Sequence, residues 1–238
     1  MYLMFYFIIL TMNQTQKVKI FTESINRFGK TEPRAEFIKI SREMFEKNRE
    51  TEAALLLLST WNYKNFKNTL PEFNYEKFEF VIKSLQVDLE DFSNVNFENM
   101  DLSYERSKIV NMFNRLCDIS IVNFDSEHGS IGPTGAAKVL YLFRPHQFIM
   151  WDSHIRGEDS KEKYLKLENI DFYKPIFVNG NYPTFESNGM GYYLFLYEMQ
   201  KLFCSSQFKK VAKESNKSMA KAIDEFNFLN ISLKIKNL

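Results

Sequence analysis

The stretch GSIGPTGAAKVLYLFRPHQFIMWDSHIR, residues 129–156, carries most of what the sequence says about fold and chemistry. Gly132, Pro133 and Gly135 form a turn signal, and Ala136, Val139, Leu140 and Phe143 then recur at helical spacing. The reading is a tight turn that opens a short helix over 134–143. Arg144-Pro145 ends that helix, because the residue before a proline is pushed out of helical backbone space. The unpaired N–H groups and positive dipole end at such a helix start suit a phosphate. Beyond it, the apolar run Phe148 to Trp151 leads into Asp152-Ser153-His154-Ile155-Arg156. A carboxylate at the edge of a buried segment has a fixed position and limited solvation, two properties of catalytic acids.

Working outward, the same periodicity predicts helices over 34–48, 52–66, 74–85, 102–118, 191–203 and 219–229. The helix over 34–48 has Phe37, Ile40, Met44 and Phe45 as its apolar stripe. That over 102–118 is the clearest, with Ile109, Met112, Phe113 and Leu116 on one face and Ser103 as its N-cap. Ser218 caps the last one. Residues 120–133 read as a loop and 158–188 as irregular, apart from a short helix near Tyr164. No repeat, heptad run or long linker interrupts the pattern. The expectation is an all-α fold, with 13–238 as a single helical domain whose hairpin and acidic segment occupy 103–156.

The chain has 238 residues, 45% of them hydrophobic, enough for a sizeable core. Lys+Arg 31 against Asp+Glu 30 gives a net charge of +1, less than a dedicated nucleic-acid binder usually carries. A local basic face is compatible with that sum. The two cysteines, Cys117 and Cys204, are too far apart for a C-x-x-C motif, and the three histidines lack metal-ligand spacing. The expectation is no metal, no organic cofactor and no disulfide scaffold. Residues 1–12 are almost wholly apolar but too short to span a bilayer, and they lack the basic start and cleavage site of a secretory signal. They read as an overcalled start with Met12 beginning the folded chain, as a membrane dip, or as a buried N-terminal element. An intracellular location is expected.

Residues 129–156 resemble the helix-hairpin-helix DNA glycosylase superfamily. Ile131-Gly132-Pro133-Thr134 is similar to the second half of that family's hairpin, and Ala136-Ala137 to its small residues. Asp152-Ser153-His154-Ile155-Arg156 matches its terminal acidic segment. The match covers about 30 residues; elsewhere only the helical pattern and chain length agree. A complete Leu-Pro-Gly-x-Gly hairpin is absent, and Glu127-His128-Gly129-Ser130 stands where its first half belongs. Where bifunctional members carry a nucleophilic lysine this chain has Thr134, with Lys138 one turn further on the same helical face. The four-cysteine cluster of one branch is missing.

The resemblance implies a two-lobed helical bundle that acts, as a monomer, on double-stranded DNA bearing a damaged or mismatched base. It implies extrusion of one nucleotide and cleavage of its N-glycosidic bond. Asp152 would stabilise the positive charge that builds on the sugar, and Lys138 would supply an amine for Schiff-base chemistry and strand nicking. The backbone at Gly132, Thr134 and Gly135, together with Arg156, would hold DNA phosphates. Trp151 and His154 would border the base pocket, and Trp61 is either core or an aromatic wall for a flipped base. Each has a plainer reading: Asp152 as an N-cap, Lys138 as a solvated residue, the glycines as turn formers, His154 and Trp151 as structural. The lysines between Lys209 and Lys236 either track a DNA backbone or form a solvated surface. The rival to the enzyme is a non-catalytic helix-hairpin-helix protein that binds DNA or a partner; a membrane-associated protein rests on residues 1–12 alone.

Overall fold

A computed structural model describes residues 12–123 and 129–238. The architecture is mainly α, and among the described residues the only β pairing is two isolated bridges. Residues 1–11, and with them the readings of the apolar start, lie outside the described part. So do Glu127 and His128.

Helix α1, Gln14–Thr31, begins with a capping box: Asn13 and Gln16 exchange side-chain and backbone hydrogen bonds, both 2.9 Å. It buries Phe21, Ile25 and Phe28 at helical spacing. Helix α2, Ala35–Glu46, forms where expected but on a different face. Phe37 and Ile40 are exposed, whereas Ile38 and Ser41 are buried and the Phe45 ring meets Phe143 at 4.8 Å. On that same face Arg42 donates to the Leu142 carbonyl near the end of the helix that closes at Phe143, a carbonyl that would otherwise lack a partner.

The helix expected over 52–66 is two, α3 (Glu50–Trp61) and α4 (Tyr63–Thr69), broken at Asn62. Helix α5, Tyr75–Leu89, is capped by Asn74 and buries Phe78, Val81, Ile82 and Leu85. Helix α6 has the expected bounds, Leu102–Asp118, but its cap is Asp101, which accepts from the Tyr104 N–H at 3.0 Å, rather than Ser103. Of the segment before α7, residues 119–123 and 129–131 are described: Ile121 N–H donates to the Gly129 carbonyl at 2.7 Å, and Asn74 N–H to the Ile121 carbonyl at 2.8 Å.

Helix α7, Gly132–Phe143, starts two residues earlier than the spacing of its apolar residues suggests, because Pro133 fits a first helical turn, where its missing N–H is not needed. It packs against α2, α3 and α6 and is buried on every side from Thr134 onward, Lys138 included. Arg144 leaves helical space ahead of Pro145, as expected. After the irregular stretch with α8, Lys161–Leu165, come α9, Gly189–Phe203, and α10, Ser206–Glu214. Helix α11, Met219–Asn227, runs through one π turn, Phe228–Ser232, into α12, Leu233–Lys236. The abundant phenylalanines account for a continuous core. Phe113 stacks on Tyr192 at 4.4 Å with the Trp151 ring edge-on, and Phe172, Phe203 and Phe226 form a second aromatic group. Among the described residues, no helix is long and apolar enough to cross a membrane.

Candidate active site

The end of α3, the buried start of α7 and the C-terminal helices enclose a cleft of about 500 Å³, within the range of small-molecule sites. Asp152 and Lys138 both line it.

Asp152 follows the buried segment Phe148 to Trp151, so its backbone is held by the core. One carboxylate oxygen accepts from the Ile155 N–H at 3.0 Å and the Asp152 carbonyl from the Arg156 N–H at 2.9 Å, so Asp152 caps a single helical turn, 153–157, in the N-cap manner. The other carboxylate oxygen has no hydrogen bond among the described residues and is not enclosed. Lys138 reaches the cleft from inside α7, and its ammonium donates to the Trp61 carbonyl. Burial pushes its pKa down to about 8; Asp152 and Asp224 oppose that shift, and Lys236 and Arg34 add to it. An amine in that range is neutral often enough at physiological pH to act as a nucleophile.

The cleft rim is cationic. Arg34 forks onto Glu32 through bonds of 2.7 and 2.6 Å, and its guanidinium lies 4.7 Å above the Trp61 ring. Trp61 in turn donates from its indole nitrogen to the Arg34 carbonyl at 2.9 Å. Lys64 and Lys236 are exposed beside it, and Phe228 adds an aromatic wall. Among the described residues, no group of three or more His, Cys, Asp or Glu is placed to hold a metal ion.

The other residues singled out in the sequence divide. His154 lines the cleft and holds Asp159 through Nδ1 at 2.5 Å, so its orientation is fixed. Trp151 borders the cleft but is core, 1% exposed, with its indole N–H on the Pro133 carbonyl at 3.3 Å. Gly132 takes a φ of +64°, which explains a glycine there, and its Cβ side faces open space. Gly135 is different. A Cβ on it would lie 2.9 Å from Ile131 Cβ and 3.0 Å from Asn62 Nδ2, so close packing, not phosphate approach, accounts for this glycine.

Arg156, expected on a phosphate, is 5% exposed and engaged inside the protein. It donates to Thr134 Oγ1 at 2.9 Å and to Glu158 at 2.7 Å, and it covers the Trp151 ring at 5.3 Å. Thr134 is thereby occupied as well, although it lines the cleft. The C-terminal lysines divide: Lys209, Lys213 and Lys217 line one shallow pocket, Lys217 pairs with Glu225, Lys221 with Asp224 and Lys234 with Glu168, and Lys236 lines the cleft.

Sequence reasoning missed Arg34, Lys64, Asp224 and Phe228, and marked Lys236 only as one of the C-terminal lysines. No local motif marks them, since they come from segments far apart in the chain. Comparison with protein-family models, with curated proteins and with solved structures returned no match.

Proposed function

We propose that this protein is a DNA glycosylase-type enzyme that cleaves the N-glycosidic bond of a nucleotide turned out of its duplex. The observation that carries the reading is that Asp152 and Lys138 line one cleft with a cationic rim. In this reading the rim cations Arg34, Lys64 and Lys236 meet the phosphates flanking the extruded nucleotide. Trp61 and Phe228 contact the base or sugar. As the bond to the base lengthens, positive charge builds at C1′, and the free oxygen of Asp152 stabilises it. The neutral Lys138 amine attacks C1′, the base leaves with the bonding pair, and ring opening gives an imine that permits strand cleavage.

Purified protein incubated with duplexes carrying uracil, 8-oxoguanine, hypoxanthine or alkylated bases, followed by alkali, tests the reading. Breaks at one lesion, lost at least about a hundredfold in Asp152→Asn, are the expected result. Breaks that persist in that variant remove Asp152 from the mechanism. The second reading, a DNA- or partner-binding protein without catalysis, draws on Gly135 and Arg156, whose expected phosphate contacts are replaced by internal packing. Salt-sensitive DNA binding that leaves every lesion intact would favour it.

A further inference from the structure

We propose that Asp224 is the proton acceptor for Lys138; this rests on the N-glycosidic reading above. Asp224 is 4% exposed, sits on α11 and lines the same cleft as Lys138. One of its oxygens lies 3.3 Å from the Lys221 ammonium, which also stands 3.6 Å from Glu225. Glu225 in turn pairs with Lys217. The cluster therefore balances its own charge, and the second Asp224 oxygen has no hydrogen bond among the described residues and is not enclosed. A carboxylate this buried is ordinarily saturated with donors. One left available on the wall of the cleft that Lys138 also lines has a chemical use.

The helix supports the placement. The π turn that follows α11 is the wide-turn irregularity often found at functional sites, and it carries Phe228 onto the cleft wall while α12 delivers Lys236. Lys138 and Asp224 are not paired within 4.0 Å, so the proton travels through solvent in the cleft, which is roomy enough for it. The step balances. The Lys138 ammonium gives one proton to the Asp224 carboxylate, leaving a neutral amine and a carboxylic acid. The amine bonds to C1′, the base departs with the electron pair of the broken bond, and the Asp224 proton passes to it.

Burial draws the two titrations toward each other, pushing Asp224 up to about 6 and Lys138 down to about 8, so the transfer is unfavourable by only about a hundredfold. The charges facing Asp224 are Lys221, Glu225 and Lys138; those facing Lys138 are Asp152, Asp224, Lys236 and Arg34. A purely structural Asp224 would also move the titration of Lys138 through its charge, so what separates the two roles is the rate of base release, which a merely structural Asp224 would not control.

The test is the protonation of Lys138 in the full-length protein, read as the pH dependence of its carbamylation by cyanate with peptide mass spectrometry. In Asp224→Asn the midpoint is expected to fall by half a unit or more, about threefold in proton affinity, and Asp224→Glu restores it. On any duplex the wild type cleaves, Asp224→Asn is expected to release base about a hundredfold more slowly. If Asp224→Asn does not fold, the reciprocal measurement serves. In Lys138→Met the Asp carboxyl ¹³C resonance that titrates near pH 6 is expected to move upward. A Lys138 midpoint unchanged in Asp224→Asn, or an Asp resonance unchanged in Lys138→Met, overturns the proposal. Failure of the wild type to release any base overturns the glycosylase reading instead, and the two midpoints still decide whether Asp224 and Lys138 exchange influence.

Discussion

The Lys138 ammonium donates a hydrogen bond to the Trp61 carbonyl, joining residues 77 apart in the sequence. The bond ties the middle of α7 to the last turn of α3. A few atoms away, Asn62 donates from Nδ2 to the Ile131 carbonyl at 3.2 Å and fixes the start of the same helix. The break between α3 and α4 is thus the scaffold on which the amine is held. A free carbonyl at a helix end normally takes water; here it takes the one side chain of α7 that is charged.

Burying that ammonium costs stability, and the sign can be worked out. The folded pKa, about 8, lies below the unfolded value near 10.5. Between those values the unfolded chain binds more protons, so the Lys138 contribution makes stability rise as pH rises from about 8 to 10.5. At neutral pH the penalty is about 3 kcal/mol, against about 1 kcal/mol for the bond to Trp61. Lys138→Met is therefore expected to be more stable than wild type by about 2 kcal/mol at pH 7, with the gap closing toward pH 10. Urea denaturation of both proteins at several pH values checks this. Taking the difference cancels the buried tyrosines, which titrate alike in both.

Arg156 is expected to matter for folding more than for DNA. It links the Asp152 turn to the start of α7 through Thr134, and to Glu158, while covering Trp151. Arg156→Ala loses a buried fork and its packing, a loss of about 3 kcal/mol. Arg156→Lys recovers little of it, because an ammonium cannot serve Thr134 and Glu158 in the same geometry. The salt dependence of DNA binding by the folded fraction should not change. A lowered slope in Arg156→Ala, which removes the charge, would mean that the guanidinium reaches phosphate after all.

The parts of the fold legible in the sequence are those where one helix face decides burial. Helix α6 has a single apolar stripe, so its bounds follow from spacing; its cap did not, because Asp101 and Ser103 are equally good capping residues by type. Helix α2 was harder, since Phe37 and Ile40 suggest a stripe, whereas Ile38 and Ser41 are the residues buried and Arg42 on their side bonds to α7. Helix α1 went unread despite its Asn13–Gln16 capping box, because its apolar residues are diluted by polar ones. In the cleft, Asp152 and Lys138 were legible from one short segment. Arg34 and Asp224 were not, since only the packing of α2 and α11 brings them there, and Lys236 stood out only as one of a lysine-rich run, not as part of the cleft.

Two glycines at the start of α7 should respond to alanine for opposite reasons. At Gly132 there is room, but a φ of +64° is unfavourable for any side chain, and Gly132→Ala should cost about 1 kcal/mol. At Gly135 the backbone is ordinary and the room is missing. Gly135→Ala must push Ile131 or Asn62 aside, costing about 2 kcal/mol and loosening the seat of Lys138. Thermal melts give the stabilities. Cyanate labelling gives the second effect: Lys138 should label faster in Gly135→Ala and at the wild-type rate in Gly132→Ala.

The exposed rim separates binding from chemistry. Lys64 and Lys236 are both exposed, and neither forms an ion pair among the described residues, so removing them should leave the fold intact. Lys236 does lie 5.6 Å from the Phe228 ring, which accounts for a small packing loss. If the rim tracks a nucleic-acid backbone, each lysine displaces roughly one counterion from DNA on binding. The double variant Lys64→Ala/Lys236→Ala should then bind duplex more weakly at low salt, and its plot of log affinity against log salt should be shallower by about 2. Fluorescence anisotropy with a labelled duplex at several salt concentrations measures both. Equal slopes for the wild type and the double variant would mean that these two cations do not face phosphate, and the search for the DNA path would move elsewhere on the surface.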